Sequence, residues 1–180
     1  AFWRMVLCSF IWWGILWATE HRWMTMADLK ASLLPGVAFG LNITFFFTGV
    51  TRTTIASAEF TGALTPLLVV PLGAWLFHER LKLSALAFGL ISLAGLALVL
   101  FFAPTTGEFS WTGLAWIAGA LCLWATYLLT SRTLRQGRSV AVVMSHITPI
   151  AAVVAGALGV VIFPGKLGEV TERSVVFIVI

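Results

Sequence analysis

Apolar residues run for about twenty positions at a time along this chain, and six such runs follow one another with only short polar connections between them. A half-buried strand alternates every second residue, and a helix on a soluble core carries one apolar stripe. Neither pattern fits runs that are apolar on every face, so hydrocarbon is the solvent they suit. The runs cover 2–19, 33–50, 55–77, 83–103, 111–130 and 140–163. Each is near the length that crosses about 30 Å at about 1.5 Å per residue. They predict an all-α polytopic membrane protein with six complete spans, A to F. A seventh run, 174–180, reaches about two helical turns and is too short to cross. With that stub at one end and no initiator Met at the other, the chain reads as a fragment of a longer protein. Span A contains several Trp residues, lacks a small-residue cleavage site and is followed by further spans, so it is not taken for a signal peptide.

Composition agrees: 10% of the residues are charged and the mean hydropathy is +1.01, against about a quarter charged in soluble domains. The net charge of +4 would suggest a nucleic-acid partner in a soluble protein, but here the basic residues lie in short loops and report orientation. Arg22, Lys30, Arg80, Lys82, Arg132, Arg135 and Arg138 fall on one side, and Arg4, Arg52, Lys166 and Arg173 on the other. The richer side is expected to be cytoplasmic, which places the A–B, C–D and E–F loops inside a plasma or bacterial inner membrane. Cys8 and Cys122 lie within spans as small apolar side chains, so neither a disulfide nor a metal site is expected.

Small residues recur at helical spacing, at Gly36 and Gly40, Ala58 and Gly62, Ala85 and Gly89, Ala115 and Gly119, and Ala155 and Gly159. Such pairs let backbones approach where lipid supplies no hydrophobic drive for association. Trp3, Trp23, Trp75 and Trp111 suit the interfacial aromatic belts. The clearest break is Pro104-Thr105-Thr106-Gly107, a turn sequence that would separate two halves of the chain.

The polar residues inside spans are the candidate chemistry. Span C carries Pro66 and Pro71, which deprive the carbonyls of Gly62 and Leu67 of their amide partners and predict a bend, with Gly62, Pro66 and Pro71 as a hinge. The freed carbonyls either line a cavity or are satisfied by Thr61 or Thr65. Glu59 lies about 7 Å in from the end of span C, deep enough to favour the bundle interior over lipid. There it would bind a cationic group or exchange a proton; the alternative is a carboxyl at the interface, bonded to Ser57 or Thr61. Asn42 in span B, Trp124 and Tyr127 one turn apart in span E, and His146 in span F complete a candidate polar cavity. The alternative for Asn42 is interhelical hydrogen bonding, and His146 reads as either a satisfied structural donor or a proton-linked site. Thr148-Pro149 adds a second kink. Glu79 and Arg80 close span C as a helix-end ion pair or, alternatively, a gate. No nucleophile–base pair, phosphate loop or ligand series appears, so catalysis is not expected.

The stretch from Phe47-Thr48-Gly49 through Glu59 to Thr65-Pro66-Leu67, then Phe77-His78-Glu79-Arg80, then Gly89 to Leu100, resembles the EamA-like family of the drug/metabolite transporter superfamily; Gly113 to Arg132 is similar to the opening helix of its second repeat. The resemblance implies ten spans in two five-helix repeats of inverted topology. Residues 1–103 would then be the remainder of the first repeat, with four helices, and 104–180 the beginning of the second, with two helices and part of a third. It also implies a secondary-active transporter, exporting a small metabolite such as an amino acid or drug-like solute by alternating access. The expected partners are that solute and the bilayer, with no nucleic acid; a homodimer is compatible. No cofactor is expected, the proton being the candidate coupling ion. Glu59 lies outside the family pattern, so its role rests on burial alone. The rival reading is a non-transporting scaffold or ligand-sensing bundle with a dry interior.

Overall fold

The computed structural model describes residues 2–80, 83–102 and 108–162. The Pro104 break and the run 174–180 lie outside the described residues. The described chain is helical, with no strand: α1 (Phe2–Glu20), α2 (Met26–Ala31), α3 (Leu33–Val50), α4 (Ile55–Ala63), α5 (Thr65–Phe77), α6 (Leu83–Phe102), α7 (Trp111–Arg135) and α8 (Val140–Ile162). Long enough and apolar enough to cross a membrane are Phe2–Glu20, Leu33–Val50, Ile55–Phe77 taken as one run, Trp111–Arg135 and Val140–Ile162. The sixth expected span is α6, whose part with described side chains, Leu83–Leu98, is apolar but shorter. Trp75, Phe88, Ile91, Val153 and Val161 stand exposed on these helices, an arrangement suited to lipid and not to water. The protein is an all-α polytopic membrane protein.

Three elements differ from the sequence expectation. The A–B connection contains α2, a single capped turn and a half. Span E continues past residue 130 to Arg135. Span C is two helices meeting at Leu64, which is in αR conformation and caps both.

By contact the chain divides into two compact units. The first comprises residues 1–44 and 130–180. Its centre is α8, where Ala141, Val142, Val143, His146, Ile147, Ala151 and Ala155 are buried. Helix α1 lies along α8, with Leu16 against Ala141 and Val142. The opening of α3 approaches α8 through its glycines. A Cβ at Gly36 would come 2.8 Å from the Ile150 Cβ, and one at Gly40 would come 2.8 Å from the Ala151 carbonyl oxygen. The small-residue pair in span B is thus a site of close backbone approach, as packing in lipid demands.

The second unit, residues 45–129, packs α6 against α4 and α5. The end of α3 meets α7 where a Cβ on Gly49 would strike Ile117 at 2.4 Å. Gly113 receives the 51–54 connection: a Cβ there would lie 2.8 Å from the Arg52 carbonyl. Phe45 packs edge-on to Trp116 at 4.7 Å. Gly62, by contrast, has nothing within 4 Å of a would-be Cβ, so its smallness serves no helix contact here.

These contacts predict opposite outcomes for two glycines. Gly40→Val should destabilise the protein by about 1–3 kcal/mol through overpacking, whereas Gly62→Ala should stay within about 0.5 kcal/mol. Thermal unfolding of both variants in detergent checks the pair.

Candidate functional site

Two places in the described residues combine polar groups and special backbone, one in each unit, and the one in the second unit lies beside a cavity. In the second unit, Thr54 caps α4: its hydroxyl accepts from the Ser57 amide at 3.2 Å and lies 2.7 Å from the Ser57 hydroxyl. One turn on, the Thr61 hydroxyl donates to the Ser57 carbonyl at 2.8 Å. Pro66 lacks an amide hydrogen, which frees the Gly62 carbonyl, and the Thr65 hydroxyl donates to that oxygen at 2.5 Å. The break in span C is therefore satisfied from within, by one of the two threonines expected to do it.

Beside this break lies a cavity of about 390 Å³ lined by Ala56, Ser57, Phe60, Thr61, Ala97, Phe101, Phe109 and Leu114. Its wall is aromatic and aliphatic, with two hydroxyls as the polar element. The 51–54 connection and the start of α7 hold one side in place, through Ser110 N–H donating to the Thr53 hydroxyl at 3.4 Å. Glu59 is exposed and is not among the lining residues, so among the described residues it does not take the interior place expected from its depth in span C: it stands on the face of α4 turned away from the cavity-lining Ser57 and Thr61. Trp124 and Tyr127 meet on α7 with ring centroids 5.0 Å apart, and Tyr127 is buried.

Span C ends at His78, whose φ of 53° is left-handed. The His78 and Glu79 amides both donate to the Ala74 carbonyl, closing α5 as glycine commonly does. Glu79 and Arg80 follow, both exposed. Of the hinge residues, Gly62 and Pro66 flank the Leu64 junction, while Pro71 lies inside α5.

The first unit holds Asn42, half-buried on α3, and His146, 1% exposed on α8. The His146 Nδ1 lies 2.6 Å from the Val142 carbonyl, and its Nε2 accepts the Thr25 amide at 3.3 Å. A carbonyl only accepts, so the proton sits on Nδ1 and the ring is neutral. Both ring nitrogens are committed, one to the preceding turn of its own helix and one to the connection before α2.

Thr25 is also the cap of α2. Its hydroxyl accepts the Asp28 amide at 3.2 Å and donates to the Asp28 carboxylate at 2.7 Å, a side-chain N-cap in which the acid meets the hydroxyl while the Thr25 amide goes to His146. The Arg138 Nε reaches the same carboxylate at 2.8 Å, and Arg22 reaches it at 3.5 Å while pairing with Glu20 at 2.9 Å. The Ser139 hydroxyl donates to Glu20. Hydrogen bonds from Thr25 and Arg138 hold the Asp28 carboxyl below the usual carboxylate range. The A–B connection is thereby fastened to the start of α8.

One turn deeper in α8, Pro149 frees the Ser145 carbonyl, and the indole N–H of Trp13 on α1 donates to it at 3.0 Å. Thr25-x-x-Asp28 was a legible cap and Pro149 a legible source of a free carbonyl. Their partners, Arg138 and Trp13, lie 110 and 132 residues away along the chain.

Multiple apolar spans, one of them broken, define a polytopic membrane protein with a cavity beside the break. Residues 1–101 match the model of the EamA-like transporter family. The chain belongs to that family, a group of membrane transporters and not of enzymes within the drug/metabolite transporter superfamily. No curated protein and no solved structure matches it.

Two variants test the first unit. Trp13→Phe leaves the Ser145 carbonyl without a donor and should cost about 1–3 kcal/mol in thermal unfolding. Asp28→Asn should cost about 1–2 kcal/mol at neutral pH. Because folding lowers the Asp28 pKa, its stabilisation is complete above the unfolded carboxylate pKa and is lost as pH falls through the lower folded value. The gap between wild type and Asp28→Asn in unfolding free energy should therefore close on acidification.

Proposed function

We propose that the protein is a secondary-active carrier that moves a small polar or amphipathic metabolite, an amino acid or drug-like solute, outward across the plasma membrane by alternating access. The observation that carries this reading is the interruption of span C at Leu64 directly beside the 390 Å³ cavity, whose wall includes Phe60 and Thr61 from the last turn of α4. The volume falls in the range of about 300–1,000 Å³ typical of small-ligand sites. Aromatic walls suit the apolar part of a solute, and the Ser57 and Thr61 hydroxyl oxygens keep lone pairs with which to orient a donor.

A break satisfied by a side-chain hydroxyl and not by the helix ladder is a suitable hinge. The Thr65 hydroxyl can follow the Gly62 carbonyl through a small change in angle, whereas an intact i to i−4 ladder resists bending. Gly62, with open space around it, adds freedom on the α4 side. Pro71 extends the departure from regular helix towards the opposite end of the span.

In this mechanism the carboxylate of Glu59, exposed on α4 near the break, is the group offered for proton coupling. Trp124 and Tyr127 supply an aromatic face for the solute. The A–B, C–D and E–F loops face the cytoplasm, where Glu79 and Arg80 sit at the inner end of span C. Residues 1–103 form the remainder of the first inverted repeat and 104–180 the start of the second.

The experiment is flux in proteoliposomes containing the full-length protein, loaded with a metabolite mixture and driven by an imposed proton gradient. Gradient-driven efflux and solute exchange are expected, and Glu59→Gln should abolish the first while sparing the second. No flux of any solute under any counter-gradient would favour the scaffold reading, and an unchanged pH dependence in Glu59→Gln would remove the coupling role.

A further inference from the structure

The neutral ring of His146 is a necessary part of the joint between the A–B connection and α8. Nε2 is the sole atom on the imidazole free to accept the Thr25 amide, because Nδ1 is committed to the Val142 carbonyl at 2.6 Å, with the Ser145 hydroxyl 3.2 Å away. A second proton on the ring would sit on Nε2 and oppose the Thr25 N–H donor to donor. Histidine is the side chain whose charge changes between about pH 5 and 8.

The charges packed around this joint are Glu20 and Arg22 at the end of α1, Asp28 on α2 and Arg138 before α8, two of each sign. His21 and Lys30 are exposed, and α3 carries no charged residue. The cluster is formally balanced while His146 is neutral. The acid linked to the imidazole through Thr25 is Asp28. That carboxylate is hydrogen-bonded to the Thr25 hydroxyl, so Thr25 is linked to the imidazole through its amide and to the acid through its side chain.

We propose that His146 is a proton-operated latch: the neutral imidazole fastens the A–B connection to α8 through the Thr25 amide, and a proton on Nε2 turns that nitrogen into a donor and releases Thr25. Atoms balance simply, since one proton enters from water and one hydrogen bond is lost. Release loosens residues 21–32 from the start of α8, where Leu16, Ala141, Val142 and Met24 otherwise pack. In transport, and resting there on the carrier reading above, the latch makes opening of this end of the first unit sensitive to protons on its own side of the membrane. His146 is then a positioning residue that never touches the solute.

The test is amide hydrogen exchange of the full-length protein in nanodiscs, read at the peptide containing Thr25 and corrected for the intrinsic pH dependence of exchange. In the wild type, protection should fall about tenfold between about pH 8 and pH 5. His146→Gln keeps an oxygen acceptor that does not titrate in this range, so its protection should stay level. Imidazole ¹⁵N NMR on the wild type provides a check that needs no variant, and should show the Nδ1–H tautomer at the upper pH and the imidazolium at the lower. Level protection in the wild type, an equal fall in His146→Gln, or an Nε2–H tautomer would overturn the latch. Flux separates the two proposals: absence of transport in wild type strikes the carrier, while the exchange result decides the latch alone.

Discussion

In hydrocarbon, a backbone carbonyl that loses its amide partner has no water to turn to, and leaving it bare costs several kcal/mol. Every proline inside a span creates such a carbonyl four residues back. At Pro66 the remedy is local: Thr65, the residue immediately before the proline, donates its hydroxyl to Gly62. At Pro149 the remedy comes from elsewhere in the chain, the Trp13 indole reaching the Ser145 carbonyl. The first solution stays within one span. The second makes the integrity of α8 depend on α1, and it coincides with the most deeply buried helix of the first unit.

The same division between local and distant partners explains what could be read from the sequence. Spans A, B, D and F were legible almost to the residue because unbroken apolar runs report membrane crossing directly. The break in span C was legible as a bend, since Pro66 and the neighbouring threonines are adjacent in sequence; that it would divide the span into two helices at Leu64 was not. The extension of α7 to Arg135 was hidden because its last turn is polar and lies beyond the apolar run. Helix α2 was masked by a connection that looked like loop, although Thr25 and Asp28 stand at capping spacing. The cluster joining Asp28 to Arg138 and Thr25 to His146 had no sequence signature at all. Nothing in the order of residues says which arginine, of several in the loops, will meet a given acid.

Glycines make the point in a second way. Gly36, Gly40 and Gly62 look alike in the sequence, each one member of a small-residue pair at helical spacing. Gly40 brings α3 against the backbone of α8, while Gly62 faces open space next to a helix junction. One serves close packing and the other conformational freedom, and only the neighbours distinguish them. The candidate residues likewise separate: Trp124 and Tyr127 form an aromatic pair in one unit, His146 is absorbed into a polar joint in the other, and Glu59 remains at the surface of α4.

The Trp13 to Ser145 bond also bears on biogenesis. During synthesis α1 leaves the ribosome long before α8, so the indole is already lodged in the bilayer when the proline-bearing helix is released from the translocon. The late helix thus meets a waiting donor, and its exposed carbonyl is shielded upon lateral docking. A chain beginning after α1 would deliver the same helix into lipid with that oxygen bare, which makes α1 an internal chaperone for α8.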